Sequence, residues 1–414
     1  MMIIIKHLSI PLIFSLIFWN ASICPAAALY TDETCAFITA LKNDDAELAL
    51  EHADNFVAQT VKSDMAKQNK YLVLLERGKI ALNAGKYDQC IADLQEAEKR
   101  FLTIEGTISL TEGFGSILTD DTTQEYEAEM HEKIMISPYL VLAYLGKGDF
   151  AGAVVERNRT ISKINQYVEA SEERNYLENP FARLISAIMY EMENKPDDAG
   201  IEYRKMKWQA ETERLAKKRK STDLVIFIDT GLVPHKYQVK WGPLPVVTKD
   251  VIIQLGFAYA SYAPTVSAVS KCDVILDGNI AGSAGMLYNL ESTVLTQYEK
   301  NKPAIIAKLI SRMTAKAAVQ ISAIAAADRI AKDDPLTGFL LKLLINISGA
   351  VWMAFEQADL RSWSTLPGNI HYLRVNGLAP GEHKIRIDYG CGVQEKTIKL
   401  EKNKIGIAYF SFAK

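Results

Sequence analysis

The chain has 414 residues, of which 49% are hydrophobic and 23% are charged, and its formal net charge is −3. These proportions are typical of a soluble globular protein and exclude an intrinsically disordered chain and a polytopic membrane protein. The length allows two or three domains that each bury a core. The net charge is unevenly divided, because residues 29–210 carry −12 and residues 211–414 carry +8. We expect two halves of opposite sign to attract each other.

Residues 1–28 have the three parts of an export signal. A short positive start is followed by the apolar stretch LSIPLIFSLIFW and then by AAA, a small-residue cleavage site. The apolar stretch is too short for a permanent membrane anchor. Cys24 follows Ile23, which is bulky where a lipidation signal needs a small residue. The sequence therefore favours cleavage after Ala28 and export to the periplasm over a lipid anchor.

Residues 29–212 form a nearly continuous helical pattern that is interrupted at Asn, Asp, Gly and Pro. The clearest unit is GKIALNAGKYDQCIADLQEAEKRF. In it, Gly78 and Ala81 lie on one face of a first helix, Gly85 ends that helix, and Cys90 lies on the apolar face of the second. Similar units occur in PYLVLAYLGKGDFAGAVVERNR and FARLISAIMYEMENKPDDAGIEYRKMKW, and more weakly in ALKNDDAELALEHA. The pattern predicts an array of helical hairpins.

This pattern of small residues and Gly-x-aromatic turns resembles the tetratricopeptide repeat (TPR). The alignment points after the turns are Ala46, Cys90, Ala153 and Ala199. Their spacings of 44, 63 and 46 residues exceed the repeat length of about 34 residues. We therefore predict degenerate TPR-like units that carry insertions.

The first helix of each such hairpin lines the concave groove of the array. The predicted groove residues are Leu75, Lys79, Leu82, Leu142, Leu145, Leu184 and Ile188. Because this groove is mostly apolar, we expect it to be filled. Its occupant is an amphipathic helix, supplied either by another envelope protein or by this chain between Pro303 and Lys332. The opposite charges of the two halves favour the internal occupant.

A charged linker at residues 213–220 separates the array from an α+β half. The run DLVIFIDTGLVP is typical of a buried strand, YQVKW, DVIIQLGFAYA and CDVILDG predict further strands, and DGNIAGSAG predicts a flexible loop. Residues 221–362 are completed by two long helices, and residues 363–414 show the period-two alternation of a small antiparallel sheet. The predicted fold class is α+β and mainly α: a TPR-like array, an α+β region and a small C-terminal β module.

The two long helices carry the features that could contact a partner. The first begins at Pro303, and its predicted apolar stripe consists of Ile306, Ile310, Met313, Ala317, Ile321 and Ile324. A basic ridge at steps of four is formed by Lys308, Arg312 and Lys316. A solvated face is favoured for this ridge over contact with the acidic array or with anionic lipid or glycan. The second helix, at 336–355, is interrupted by Lys342 and Asn346, so a buried core helix is favoured over a membrane span.

Four cysteines follow the export signal: Cys35, Cys90, Cys272 and Cys391. An oxidising compartment permits one disulfide in each half, and buried free thiols are an equally supported alternative. The sequence has no zinc-ligand spacing, no P-loop and no GxSxG motif, so we predict neither a metal nor a cofactor. The acidic pairs Asp44–Asp45, Asp197–Asp198 and Asp333–Asp334 stand at predicted helix starts, where they complement the helix dipole.

Four stretches together resemble a family of exported bacterial envelope proteins with TPR-like N-terminal halves, many of which are lipoproteins. They are ERGKIALNAGKYDQCIADLQEAEKRF, HEKIMISPYLVLAYLGKGDFAGAVVERNR, ENPFARLISAIMYE and ADLRSWSTLPGNIHYLRVNGLAPGEHKIRI. The resemblance implies an envelope scaffold or assembly accessory and supplies no catalytic residue.

We therefore predict a non-enzymatic periplasmic scaffold or adaptor that binds another envelope protein during assembly or secretion. Export excludes nucleic acid as a partner, and the sequence leaves the oligomeric state open. Two alternatives belong to other classes. One is a membrane-associated component that uses the apolar helix at 336–355, and the other is an enzyme with a site at the domain junction.

Overall fold

The computed structural model describes residues 25–62, 67–107, 124–169, 172–216, 221–247, 252–355 and 357–414. Residues 1–24 of the predicted export signal, with Cys24, lie outside the described residues, as do residues 217–220 of the predicted linker.

The N-terminal half is a succession of helices that pack against their neighbours in the chain. They are α1 (Pro25–Lys42), α2 (Ala46–Lys62), α3 (Lys70–Asn83), α4 (Tyr87–Thr107), α5 (Met130–Lys147), α6 (Phe150–Ile164), α7 (Pro180–Met192), α8 (Pro196–Lys205) and α9 (Gln209–Ala216). A π-helical turn (Asn165–Glu169) and a 3₁₀ helix (Glu172–Leu177) lie between α6 and α7. Connections of two or three residues join α1 to α2, α3 to α4, α5 to α6 and α7 to α8, so each pair is an antiparallel hairpin.

The four tight turns of these hairpins close in the same way. In each, one residue has a positive φ, and the N–H of the next residue donates to a carbonyl five positions earlier, as Lys86 does to Ala81 at 2.8 Å. This closure satisfies carbonyls that the helix end leaves unpaired. The residues with positive φ are Asp44, Gly85, Gly148 and Asn194.

Five residues beyond each of these turn residues stands a fully buried small side chain, and the four are Ala49, Cys90, Ala153 and Ala199. The predicted alignment is therefore right for three hairpins and wrong for the first, which aligns at Ala49 rather than at Ala46. Asp44 is the residue with positive φ in that turn, and the fifth residue beyond it is Ala49, whereas Ala46 is only partly buried.

The strands of the C-terminal half form two four-stranded sheets and a separate hairpin. The strands are β1 (Asp223–Thr230), β2 (His235–Val247), β3 (Ile252–Ala263), β4 (Asp273–Leu276), β5 (Asn279–Ser283), β6 (Gly285–Asn289), β7 (Asn369–Val375), β8 (Gly381–Asp388), β9 (Val393–Leu400) and β10 (Ile405–Phe412). The first sheet has the order β10-β1-β7-β6 and the second has the order β5-β4-β8-β9. All pairs are antiparallel except β1 with β10, and β2 pairs with β3 alone.

The helical array and the two sheets form three layers, with β1 in the middle layer. Val225 and Phe227 share a hydrophobic core with the helices, whereas Leu224, Ile226 and Ile228 share a second core with the second sheet. Every residue of β1 is buried, which explains why the strand reads as a continuous apolar run and not as an alternating one.

The strands predicted as a separate C-terminal module belong to both sheets. β7 and β10 pair with β1, and β8 pairs with β4. The proposed boundary at residue 362 is therefore not the edge of an independent unit.

The stretch DGNIAGSAG, predicted as a loop, contains β5, which a two-residue turn joins to β4. Asp277 and Gly278 form that turn with φ values of 50° and 84°, as a tight Asp-Gly hairpin requires.

The two long helices are α10 (Leu290–Asp333) and α11 (Pro335–Phe355). α10 begins earlier than predicted, because Asn289 caps it by accepting a hydrogen bond from the N–H of Ser292 at 2.8 Å. Pro303 therefore lies inside α10, which is about 66 Å long at 1.5 Å per residue. Among the described residues, no helix is long and apolar enough to cross a membrane.

The four described cysteines are free thiols, so the predicted disulfides are not formed. Each half contains one exposed cysteine and one that is buried: Cys35 with Cys90, and Cys272 with Cys391. Burial raises the pKa of Cys272 to about 12, and it also raises the pKa of Cys90. Both buried thiols are therefore packing residues of their cores.

Candidate interaction surface

The groove of the helical array is occupied by the first sheet of the same chain. Six of the seven predicted groove residues are buried, and Leu145 is partly buried. Apart from Lys79, they belong to or pack against one hydrophobic core that also contains side chains of β1 and Trp363, Leu366 and Ile370. Phe181 of α7 meets Phe227 of β1 with ring centroids 5.3 Å apart. The residues predicted to line the groove are therefore covered by the first sheet of the C-terminal half and not by the predicted helix from Pro303 to Lys332. The face of a sheet covers several parallel helices at once, which a single helix cannot do.

Lys79, a predicted groove residue, forms a buried polar link between α3 and the sheet. Its Nζ lies 3.1 Å from Oδ2 of Asp229 and donates to the hydroxyl of Tyr409 at 2.7 Å. The hydroxyls of Tyr409 and Tyr139 both donate to the same Asp229 oxygen, at 2.7 and 2.8 Å. Lys79 and Asp229 are each at most 1% exposed, so charge pairing and hydrogen bonds must compensate their loss of hydration.

Two carboxylates of the array form a second link, because they bind the chain segment that precedes β7. Glu76 accepts hydrogen bonds from the N–H groups of Ser364 and Thr365, at 2.7 and 2.9 Å. Glu132 accepts one from the N–H of Trp363 at 2.6 Å. Sequence reasoning missed both residues, although a glutamate among apolar residues on a helix is the signal that could have identified them.

A third link joins α7 to β7. Arg374 donates to both carboxylate oxygens of Glu191 at 2.9 and 3.0 Å and to Asp223 at 2.7 Å. Burial opposes the ionisation of Glu191, but the hydrogen bonds and charge of Arg374 outweigh it, so the pKa of Glu191 lies below its ordinary value. The array and the sheet are therefore joined by ion pairs as well as by their shared core.

Two tyrosine hydroxyls at this junction donate to one carboxylate oxygen of Asp229. Burial and the nearby charge of Asp229 raise the pKa values of Tyr139 and Tyr409 far above the usual range, so both hydroxyls stay protonated and act as donors. A small surface pocket beside Tyr409 is lined by Asp44, Asn83 and Lys396. Among the described residues, no three His, Cys, Asp or Glu side chains come together as a metal site. The geometry of the junction is that of a structural link.

The strands β2 and β3 and the helices α10 and α11 pack together as a unit that we call the arm. β3 contacts both helices, and the two helices contact each other. Their common core is small: Ile253 of β3 meets Ile324 and Ala327 of α10 and Leu341 and Ile345 of α11.

The base of the arm is anchored on one carboxylate, that of Glu129 before α5. Its oxygens accept hydrogen bonds from Lys236 of β2 at 2.7 Å, from Tyr262 of β3 at 3.0 Å and from Gln297 of α10 at 3.0 Å. Burial opposes the ionisation of Glu129, but the charge of Lys236 outweighs it and lowers the pKa. Gln297 also contacts the ring of His131, which is buried here. Three elements of the arm thus meet at a single residue of the array.

Exposed apolar side chains are concentrated on the arm. Where side chains are described, twenty-two large hydrophobic residues are exposed, and twelve of them belong to the arm. They are Tyr237, Trp241, Leu244 and Val247 of β2, Ile305, Ile310, Val319 and Ile321 of α10, and Leu336, Phe339, Leu340 and Leu343 of α11. Apolar side chains scattered singly over a surface are ordinary, whereas a concentration of them marks a site of interaction.

The buried face of α10 differs from the predicted apolar stripe. It contains Leu309, Arg312, Gln320, Ile324 and Ala327, and it leaves Ile310 and Ile321 about half exposed. Arg312, predicted on a solvated basic ridge, is only 2% exposed, while Lys308 is exposed and Lys316 is partly buried. The pattern misled because α10 is rich in alanine, so that several of its faces are equally apolar.

The helix α11 was predicted to be a buried core helix, and this is wrong for its first half. Leu341 and Ile345 are buried, but Leu336, Phe339, Leu340 and Leu343 are between 46% and 69% exposed. The spacing of these four residues places them on one face of the helix. Lys342 pairs with Asp328 of α10. The side chains beyond Ile345, with that of Asn346, lie outside the described residues.

Comparisons with protein-family models, with curated proteins and with solved structures found nothing that matches the chain. The resemblance to exported TPR-like envelope proteins therefore stays a prediction. The function has to be inferred from the geometry of this chain alone.

Proposed function

We propose that the protein is a non-enzymatic scaffold of the cell envelope and that it engages another envelope component through the arm. In this proposal the helical array consists of degenerate TPR-like hairpins whose groove holds the first sheet. The array and the two sheets then act as a body that carries the arm. The predicted export signal supports a periplasmic location.

One observation carries this proposal. TPR-like proteins bind their partners on the inner face of the helical array, but in this chain the first sheet covers that face. Among the residues whose side chains are described, twelve of the twenty-two exposed large apolar residues belong to the arm. Such a concentration costs solubility unless another component covers it. The four exposed residues of α11 alone present on the order of 400 Å² of apolar surface, the size of a functional patch on a monomer.

Crosslinking in envelope extracts tests the proposal. The arm variant combines Leu336→Gln with Phe339→Gln, and the control combines Val155→Gln with Ile201→Gln on the helices of the array. All four side chains are exposed, so these changes leave the fold intact. We expect a crosslinked component with the wild type and the control that is lost from the arm variant.

The opposite pattern would contradict the proposal. If the arm variant retains every crosslink and the control loses them, the array is the binding surface. A circular dichroism spectrum of each variant confirms that the helices are retained.

A further inference from the structure

We infer that the component engaged by the arm is an anionic lipid surface, on which the arm lies with the apolar faces of α11 and β2 at the boundary between headgroups and acyl chains. This inference rests on the proposed function, because it names the counterpart of the same surface. Exposed apolar, aromatic and basic side chains occur together on the arm, and this combination is typical of surfaces that bind membranes.

The first argument is the amphipathic pattern of α11. Leu336, Phe339, Leu340 and Leu343 follow the i, i+3, i+4, i+7 spacing of one helix face, and all four are exposed. The opposite face, with Leu341 and Ile345, packs against α10 and β3. A helix held in this way presents its apolar face outward without having to cross a bilayer.

The second argument is the position of aromatic side chains on β2. Tyr237 and Trp241 are exposed, and they lie on the same face of the strand because they are four residues apart. Trp241 stacks on Phe257 of β3 with ring centroids 5.2 Å apart, which holds the indole in place. Tryptophan and tyrosine are enriched where membranes meet water, since their rings are apolar at one end and polar at the other.

The third argument is charge. Residues 300–327 of α10 contain five basic side chains and no acidic one. Of the five, Arg312 is buried and Lys302 pairs with Glu299. The array is acidic, and the described residues of the arm contact it near the base, at Glu129, at His131 and at the 3₁₀ helix. Over β2, β3, α10 and α11 together, ten basic side chains stand against four acidic ones, so the arm as a whole is positive. Basic residues beside an apolar face are the combination that binds anionic lipid headgroups.

The acidic residues near the α10–α11 turn are in part compensated within the arm. Asp328 pairs with Lys342, and Asp334 accepts a hydrogen bond from the Thr337 hydroxyl at 2.6 Å, which caps α11. These contacts reduce the repulsion between the turn and an anionic surface. A protein with an acidic and apolar groove is the other partner that would suit these charges. The test below separates a protein partner from a lipid surface.

Vesicle flotation of the full chain tests the inference. One set of vesicles is pure phosphatidylcholine, and the other is an equal mixture of phosphatidylcholine and phosphatidylglycerol. The arm variant combines Leu336→Gln with Phe339→Gln, the charge variant combines Lys308→Gln with Lys332→Gln, and the control combines Ile280→Gln with Met286→Gln, which are exposed on the sheets. All variants share one N-terminus, so any contribution from residues 1–28 is common to them.

We expect the wild type to float with the anionic vesicles and the control to behave in the same way. The arm variant should bind roughly 10- to 100-fold more weakly, because each lost side chain was half buried in lipid. The charge variant should bind about 5-fold more weakly for each lysine. Raising the salt concentration from 0.1 M to 1 M, which shortens the Debye length from about 10 Å to 3 Å, should reduce wild-type binding.

Equal flotation of the wild type and the arm variant would overturn the inference, and so would an absence of wild-type flotation. If flotation fails but the arm variant still loses a protein crosslink, the counterpart is a protein, and the proposed function stands without the lipid. If the arm variant changes neither flotation nor crosslinking, both proposals are wrong.

Discussion

Replacement of Lys79 by methionine would leave the buried carboxylate of Asp229 without the ammonium group that lies 3.1 Å away. Methionine fills a similar volume, so the main loss is electrostatic. Removing one partner of a buried ion pair costs about 3–5 kcal/mol, because the remaining charge is neither hydrated nor paired. The hydroxyls of Tyr139 and Tyr409 still donate to Asp229 in the variant, which places the expected loss toward the lower end of that range.

Urea denaturation followed by circular dichroism measures this loss as a decrease in the free energy of unfolding. The double variant, Lys79→Met with Asp229→Asn, removes both charges, and we expect it to lie within about 1–2 kcal/mol of the wild type. If Lys79→Met costs less than about 1 kcal/mol, or if the double variant loses the sum of the two single losses, the buried link is not formed as described.

Three further predictions concern the contact between the array and the sheets and the packing within the array. Arg374→Met should destabilise the protein by about 3–5 kcal/mol at neutral pH. Because the pKa of Glu191 is lowered in the folded state, this advantage of the wild type should shrink in denaturation curves as the pH falls below about 4.5. Gly146→Ala should lower the free energy of unfolding by about 1–3 kcal/mol, because the added Cβ would lie 2.4 Å from the Tyr87 ring. Gly200→Ala is the control: its Cβ would approach only the flexible end of an arginine side chain, so the change should be neutral or stabilising. Calorimetry measures both effects. A protease site introduced between α9 and β1 should yield two fragments that co-elute in size-exclusion chromatography, because they share one core; separate elution in ordinary buffer would contradict this.

The sequence predicts the fold most accurately where a structural feature depends on residues that are close together in the chain. Gly85, Gly148 and Asn194 predict the tight turns of three hairpins, because the left-handed conformation favours glycine and asparagine. The strand at β1 is predicted because a short, continuous apolar run bounded by glycine and proline suits a strand buried on both faces. The first hairpin and the Asp-Gly turn were misread, although the positive φ values of Asp44 and Asp277 follow known preferences of aspartate.

The candidate site was predicted less well than the fold, and the reason is physical. The groove residues were correctly identified as needing a cover, but nothing in the pattern of α3, α5 and α7 specifies what covers them. The links through Glu76, Glu132 and Glu191 join residues 183 to 288 positions apart, and such pairs leave no periodic signal. The choice of the buried face of α10 likewise depended on β3 and α11, which pack against it.

The sequence by itself determined the helical hairpins, most of the strands and the division of charge between the halves, because turn chemistry and hydrophobic periodicity act over a few residues. Only the tertiary structure decided that the last strands enter the groove and that α10 and α11 expose apolar faces. Those outcomes depend on which distant surfaces fit one another, and burial of a face is a property of the pair and not of either segment alone.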